Sequence, residues 1–313
     1  DVTQPGELAE VGVLPLATDD DLADRSFKEL SEDGRRAGLA KWLTKSDHPL
    51  VWRSIVNRTW QYHFGEGIVA TPNDFGRMGA LPTHPQLLDW LTSEFLNNGQ
   101  SLKYLHRLIV TSSVYRQSSR FDKDNARIDA ANRFLWRMNR RRLSAEEIRD
   151  SILAVSGALD LKMGGPGYYL FALEKTEHSP HYEYHKFDPA DPATHRRSVY
   201  RFIVRSQPDP WMTTLDCADS SQSTPKRSET LTSLQALSLL NNKFNLEMAK
   251  RFAARLENEI NEVDQQVERA IQLIVQRDPG EEERADLVKY TEKHGLENTC
   301  RLLFNLSEFV YVD

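Results

Sequence analysis

Apolar residues recur at helical spacing along most of this chain. Leu87, Leu91 and Phe95 follow one another by four, which predicts an amphipathic helix. Thr83-His84-Pro85-Gln86 has the spacing of a capping box with proline in the first turn, and Asn98-Gly99 supplies the stop. Ser101 is placed to cap a following helix that buries Leu102, Leu105 and Ile109. Upstream, Asp47-His48-Pro49 predicts a helix start with Asp47 as cap. That helix carries Val51, Ile55 and Trp60 near one face and stops at Gly65 and Gly67. An earlier helical signal begins near Asp19 and firms over 35–43. Ser144 and Glu147 form a second capping-box pattern, ahead of the stripe Ile148, Ile152, Val155 and Leu159. Towards the C-terminus, Phe244, Met248 and Phe252 form one stripe, and Val263, Val267, Ile271 and Ile274 another. Asp278-Pro279-Gly280-Glu281 restarts a helix that ends near His294-Gly295, and a last helix is predicted through 302–306.

The pattern changes between Gly164-Gly165-Pro166-Gly167 and residue 205. Residues 168–171, 182–187 and 198–204 are rich in aromatic and β-branched side chains and predict short strands. Residues 65–83 and 206–229 read as loops, the second long and proline-punctuated. The expected architecture is mainly α: a multi-helix body with a small β insertion around residues 168–205. Its expected divisions are a lead-in or linker over 1–18, a helical domain with the insertion over 19–229, and a C-terminal helical lobe over 230–313 packed on the first.

The chain has 313 residues, 39% of them hydrophobic, enough for a large core. Forty Lys and Arg against forty-six Asp and Glu give a net charge of −6, which disfavours a broadly basic nucleic-acid binder. Two cysteines, Cys217 and Cys300, supply neither a disulfide scaffold nor a cysteine-rich zinc module. There is no C-x-x-C-H for haem attachment. No apolar run reaches the ~18 residues of a membrane span. The first residue is Asp1, not Met, which is expected of a processed or excised piece.

Three clusters could carry chemistry. His178, His181, His185 and His195 lie among Glu177, Glu183 and Asp188. On a strand over 181–187, His181, Glu183 and His185 would share one face and could chelate a metal. The same alternation equally gives a plain polar face over an aromatic one, and no metal is the expected state. Arg140, Arg141 and Arg142 beside Trp136 could grip phosphate or sulfate. Glu146, Glu147 and Asp150 follow closely and would equally pair with them at a helix start. The third cluster is the loop around Asn73, Asp74 and Gly76, flanked by Asn57, Arg58, His63 and His84. His63, Asp74 and His84 are candidate acid–base residues, whereas Asn57, Arg58, Asn73 and Asp74 could equally cap turns.

These segments also resemble a known family. The series runs Asn57-Arg58-x-Trp60-x-x-His63-Phe64-Gly65-x-Gly67, Thr71-Pro72-Asn73-Asp74-Phe75-Gly76 and His84-Pro85-x-Leu87-Leu88-Asp89-Trp90-Leu91. It continues with Leu108-Ile109-Val110-Thr111-Ser112-x-x-Tyr115-Arg116-Gln117-Ser118, Ile148-Arg149-Asp150, Ser156-Gly157-x-Leu159 and Gly164-Gly165-Pro166. Arg196-Arg197-Ser198-Val199-Tyr200-Arg201 and Leu234-Gln235-Ala236-Leu237-x-Leu239-Leu240-Asn241 complete it. In this order the series is similar to the planctomycete surface-domain family of unknown function, over residues 35–313. The resemblance implies a domain C-terminal to cytochrome c and cytochrome-associated domains in extracytoplasmic proteins. The resemblance leaves the biochemical role open; the lack of a recognised catalytic motif beside a large helical fold points to binding or assembly with a protein partner, such as a cytochrome c chain or domain. Haem c would sit on that partner or on a missing N-terminal portion, with no cofactor in this chain. The alternative is an enzyme acting on carbohydrate or sulfated polysaccharide, an oxidoreductase coupled to haem c in one version. The resemblance transfers no catalytic residue.

Overall fold

The apolar stripes fold as helices in a computed structural model that describes residues 31–175 and 179–312. The predicted lead-in, the helical onset near Asp19, and Glu177 and His178 lie outside those residues. Contacts divide the chain into two compact units, with the boundary between Asn139 and Arg140.

The first unit holds α1 (Glu32–Leu43), α2 (Val51–Phe64), α3 (Pro85–Asn97), α4 (Leu102–Val110) and α5 (Lys123–Ile128). Its core joins Trp52, Val56, Trp60 and Phe64 of α2 to Leu88, Leu91 and Phe95 of α3, and to Leu105 and Ile109 of α4. Each such side chain contributes about 1.5–3 kcal/mol by leaving water. The buried face of α2 follows Trp52, Val56, Trp60 and Phe64, so Val51 and Ile55 fall to its margin. The cap position of this helix is Leu50, not Asp47, and ahead of it His48 Nδ1 accepts from the Leu50 and Val51 amides, both at 3.3 Å. Ser101 caps α4 as predicted, accepting from the Tyr104 amide at 3.3 Å. The capping box at Thr83 does not form. The hydroxyl and amide of Thr83 both bond Ile68 O, and His84 becomes a cap without a side-chain bond.

The second unit begins with β1 (Arg141–Arg142) and α6 (Ala145–Val155), then β2 (Ala172–Lys175) and β3 (Pro180–Glu183). It continues through α7 (Pro210–Thr214), α8 (Ser233–Asn241), α9 (Lys243–Glu259), α10 (Val263–Val275), α11 (Glu281–His294), α12 (Leu296–Leu303), α13 (Ser307–Val310) and β4 (Tyr311–Val312). The Ser144–Glu147 capping box forms in full at α6. Ile148 and Ile152 of α6 share one core with Leu239, Phe252, Ile271, Cys300 and Phe304. Residues 230–313 therefore build a common core with α6 and no separate one. β1 pairs antiparallel with β4, Arg141 opposite Val312 and Arg142 opposite Tyr311. β2 and β3 form a short antiparallel hairpin, from Ala172 opposite Glu183 to Lys175 opposite Pro180.

The mainly α architecture stands, and its β insertion is smaller than the aromatic runs suggest. Tyr168–Phe171 carries one isolated bridge, Tyr168 to Arg201, instead of a strand. β3 stops at Glu183, and Tyr184–Lys186 turns as a 3-10 helix. Ser198–Tyr200 is likewise a 3-10 turn. The aromatic side chains serve packing here: Phe171 lies 5.0–6.2 Å from the rings of Tyr182, Tyr184 and Phe202. The 206–229 loop contains α7, which Asp209 starts by accepting from the Trp211 and Met212 amides. The last predicted helix resolves into α12 and α13. Among the described residues no helix is long and apolar enough to cross a membrane.

Candidate functional site

In the first unit the polar loop is spent on its own backbone. Asn57 is fully buried on α2. Its Nδ2 donates to Val69 O at 2.9 Å and its Oδ1 accepts from Val69 N at 2.8 Å. Gly67 passes so close that an added Cβ would lie 2.7 Å from the Asn57 amide nitrogen. Arg58 donates to Asn73 Oδ1. Asp74 closes its own turn, with Oδ1 accepting from the Gly76 amide at 2.8 Å and its carbonyl from Thr71 Oγ1 at 2.7 Å.

The three acid–base candidates sit in different settings. His63 Nε2 is 2.8 Å from His106 Nδ1, with Tyr115 edge-on to its ring. His84 Nδ1 is 2.9 Å from Thr83 Oγ1, and its ring meets Phe134. Asp74 is engaged by its turn through Oδ1.

Two of the anion-binding candidates in the second unit are engaged by carboxylates. Arg141 makes a two-pronged contact with Glu147, 3.0 Å on each prong. Burial pushes the Glu147 carboxyl up, but Arg141 and the Ser144 amide outweigh it and hold the group below its usual range. Buried Arg142 donates to Asp216 at 2.7 Å and to Thr230 O at 2.8 Å. Arg140 is exposed just ahead of β1. The proposed chelating face is lost because β3 ends at Glu183. His181 stands opposite Glu174 in the hairpin, while His185, already in the 3-10 turn, bonds Glu183 at 3.1 Å. Among the described residues no three His, Cys, Asp or Glu are gathered to hold a metal ion.

The site with the richest chemistry lies elsewhere in the second unit. A cavity of about 280 Å³ is lined by Arg149, Leu170, Tyr184, Phe187, Trp211 and Lys243, with Asp209, Asn242 and Phe244 completing its wall. Arg149 projects from the buried face of α6 and is 1% exposed. It donates to Thr194 O at 2.5 Å, Arg196 O at 3.0 Å and Ser198 Oγ at 3.4 Å. Its guanidinium lies over the rings of Tyr168 and Phe244, 5.2 and 5.3 Å from their centroids. Lys243 opens α9 and donates to His185 O at 2.7 Å and to Phe187 O, its ammonium 4.3 Å from the Phe187 ring centroid. A cation at a helix N-terminus opposes the macrodipole, so two positive sources meet at this wall. Burial lowers the proton affinity of both cations.

Neutral carbonyl oxygens hold these cations, and no carboxylate lies within 3 Å of either. The nearest to Arg149 is Asp150 at 3.6 Å. Asp209 caps α7 and lies 3.8 Å from Arg201. Burial pushes its carboxyl above the usual range despite Arg201 and the two capped amides. Burial and the nearby Asp209 also raise Tyr184 to about 12, keeping its phenol protonated; the hydroxyl donates to Gln207 O at 2.8 Å. Trp211 packs tilted against Phe244 with ring centroids 5.3 Å apart, and its buried indole N–H has no hydrogen-bond partner among the described residues. Positive charge, a spare donor and flat apolar walls can hold an anion attached to a ring.

Sequence reasoning passed over this cavity. The available signal was Arg149 itself, a charge beside the apolar stripe of α6, where such a residue must find partners. Asp209-Pro210 was a second signal, a helix-start pair inside an apparent loop.

Two comparisons, with curated proteins and with solved structures, found no match. A family model described as PSD1, protein of unknown function (DUF1553), matches residues 35–291. That span exceeds half of the chain and takes in α2 with its clamped loop, α6 with Arg149, and the cavity-lining segments up to α11. The chain therefore belongs to the PSD1 family.

Proposed function

We propose that the chain is a binding module whose second unit recognises a small anionic molecule with a flat apolar body. One observation carries this reading: Arg149 and Lys243 line an aromatic cavity while hydrogen-bonded to neutral oxygens, and Asp150 stands off from Arg149 at 3.6 Å, so a ligand anion can approach these cations more closely than that carboxylate does. Buried cations whose counter-ions stand beyond hydrogen-bond distance are incompletely compensated. An incoming carboxylate completes the compensation, with Trp211 Nε1 as a further donor and the Phe187 and Phe244 rings as walls. The test is calorimetric titration of the full chain with benzoate, benzamide and acetate. Benzoate is expected to bind at least tenfold tighter than either of the others. Equal affinity for benzoate and benzamide, or no binding of either, refutes the reading.

The wider setting proposed here rests on the sequence resemblance. In it this domain works in an extracytoplasmic system, with a cytochrome c chain or domain as protein partner and haem c carried there. Co-purification from native extracts at physiological salt tests it, and a solitary monomer overturns it. A carbohydrate-active enzyme built on His63, Asp74 and His84 gains no support, because Asp74 is bound within its own turn.

A further inference from the structure

A second cavity in the same unit is lined by a buried arginine, Arg201, whose Nε makes no hydrogen bond among the described residues and whose other contacts are long. Four arginines of this unit are buried: Arg142, Arg149, Arg196 and Arg201. Arg142 has Asp216 and Thr230 O, and Arg149 has two carbonyls and a hydroxyl. Arg196 reaches the carbonyls of Pro166, Lys162 and Gly164 at 2.6–3.1 Å. Arg201 has nothing comparable. Its Nη1 is 3.8 Å from Asp209, its Nη2 meets only the Cys217 thiol at 3.7 Å, and its Nε has no partner. A guanidinium carries five donors, and a thiol is a weak acceptor. Yet this one is 9% exposed and lines a cavity of about 700 Å³.

The rest of that wall defines what Arg201 would hold. Glu146, Glu147, Asp150, Ser151 and Ser198 line it, with Arg227 on the same wall. The three carboxylates are already served. Glu146 is paired with Arg227, Glu147 with Arg141, and Asp150 accepts from the Ser198 amide and hydroxyl at 2.7–3.1 Å. They need no further cation, but each oxygen retains lone pairs for a neutral hydroxyl. A bare phosphate carries more charge than a carboxylate and has no ring of hydroxyls with which to turn donors towards the three acids, so it meets them mainly with repulsion. A neutral sugar would leave the guanidinium with only its long contacts to Asp209 and Cys217.

We infer that this cavity binds a hydroxyl-rich carboxylate, a sugar acid, whose carboxylate pairs with Arg201 and whose hydroxyls donate to Glu146, Glu147 and Asp150. The volume accommodates more than one ring, so the end of an acidic oligosaccharide fits the same chemistry. The inference is independent of the benzoate site. Removing the carboxylate returns Arg201 to its long contacts with Asp209 and Cys217, so galactose is the informative control for galacturonate.

The test is titration of the full chain with galacturonate, galactose and inorganic phosphate, followed by nuclear magnetic resonance. Galacturonate is expected to bind at least tenfold tighter than galactose, and phosphate no better than galactose. Arg201→Gln should weaken galacturonate at least tenfold. Ala154→Trp provides a second variant, because Ala154 lines this cavity from the exposed side of α6 and its replacement fills space without touching the buried charges. It should abolish galacturonate binding and leave benzoate binding unchanged. Equal affinity for galacturonate and galactose, phosphate binding as tightly as galacturonate, or galacturonate binding that survives Ala154→Trp each overturns the inference. Benzoate binding without galacturonate binding refutes this site alone, and the reverse refutes the first cavity alone.

Discussion

Asn57 in the first unit and Arg149 in the second occupy equivalent situations with different consequences. Each is a polar residue on the buried face of a helix, 0% and 1% exposed, and each reaches the backbone of a distant segment. Asn57 makes a closed exchange with Val69, one donor and one acceptor on each side, with no net charge. Arg149 gives its donors to carbonyls and brings a charge that none of them neutralises. The first arrangement is complete and fixes a loop. The second keeps its charge, with Asp150 standing off at 3.6 Å, and borders a cavity. Burial of a polar residue therefore does not mark a site; charge left over after its hydrogen bonds are counted does.

The largest effect that tests this contrast is expected at Asn57. Asn57→Leu keeps much of the side-chain volume but leaves the amide and carbonyl of Val69 buried without partners. Each such group costs about 1–3 kcal/mol, so a loss of about 3 kcal/mol is expected. Urea denaturation measures it, and amide exchange at Val69 localises it. A loss below about 1 kcal/mol, with Val69 still protected, would show that the loop does not depend on Asn57.

The counterpart in the second unit is Lys243→Met, which retains the alkyl stem and removes the charge. Benzoate affinity should fall by about 10- to 100-fold, or about 1.4–2.8 kcal/mol. Stability should change by less than about 1 kcal/mol, since the cation at the start of α9 opposes the helix dipole and its loss offsets two hydrogen bonds. Unchanged affinity would remove Lys243 from the site, and a collapse in stability would make it a clamp like Asn57.

Much of the helical fold was legible because period and caps agree locally. Ser144 and Glu147 announced α6, and Ser101 announced α4. What was illegible depended on partners distant in sequence. Thr83 has the pattern of a cap, yet Ile68 O claims it. His48 accepts from the amides that open α2, but ring nitrogens have no such sequence signature. The aromatic runs between 168 and 204 have strand composition, yet only Ala172–Lys175 and Pro180–Glu183 pair. Side-chain bonds from Arg149, Asp150 and Arg196 hold the rest of that segment. The site was harder to read than the fold. Arg149, Asp209 and Lys243 are far apart in the chain, and each alone has an ordinary reading as a helix residue, a cap and a surface lysine. The arginine run drew attention by its density, but Arg141 and Arg142 are engaged by carboxylates.

The two capping-box patterns allow a sharper comparison at lower amplitude. Ser144→Ala removes the bond that its hydroxyl accepts from the Glu147 amide at 3.3 Å, and should cost about 1 kcal/mol with fraying of the first turn of α6. Thr83→Ala removes a bond to Ile68 O and should leave the first turn of α3 as protected as before. Exchange measured at the first-turn amides of both helices checks the pair. Equal fraying would mean that Thr83 does cap α3.

The smallest expected effect at neutral pH is that of Asp209→Asn. Asparagine accepts from the amides of Trp211 and Met212 as aspartate does, so the cap survives. What is lost is the ionisation and, with it, the long ion pair to Arg201 at 3.8 Å. Burial raises the Asp209 carboxyl, so the folded protein takes up its proton more readily than the unfolded chain. This group's contribution to stability is then greatest below the unfolded carboxylate value of ~3.9 and declines as pH rises through the folded one. The difference in melting temperature between wild type and Asp209→Asn should shift towards the variant across that interval. Over the pH range in which benzoate itself stays ionised, it should also bind the wild type more tightly as Asp209 protonates, because that carboxylate on the cavity wall then stops competing for Arg149 and Lys243. In the variant that pH dependence should flatten. If affinity in the wild type instead rises with pH, Asp209 assists the ligand as a base, and the cavity selects cations or proton donors over carboxylates.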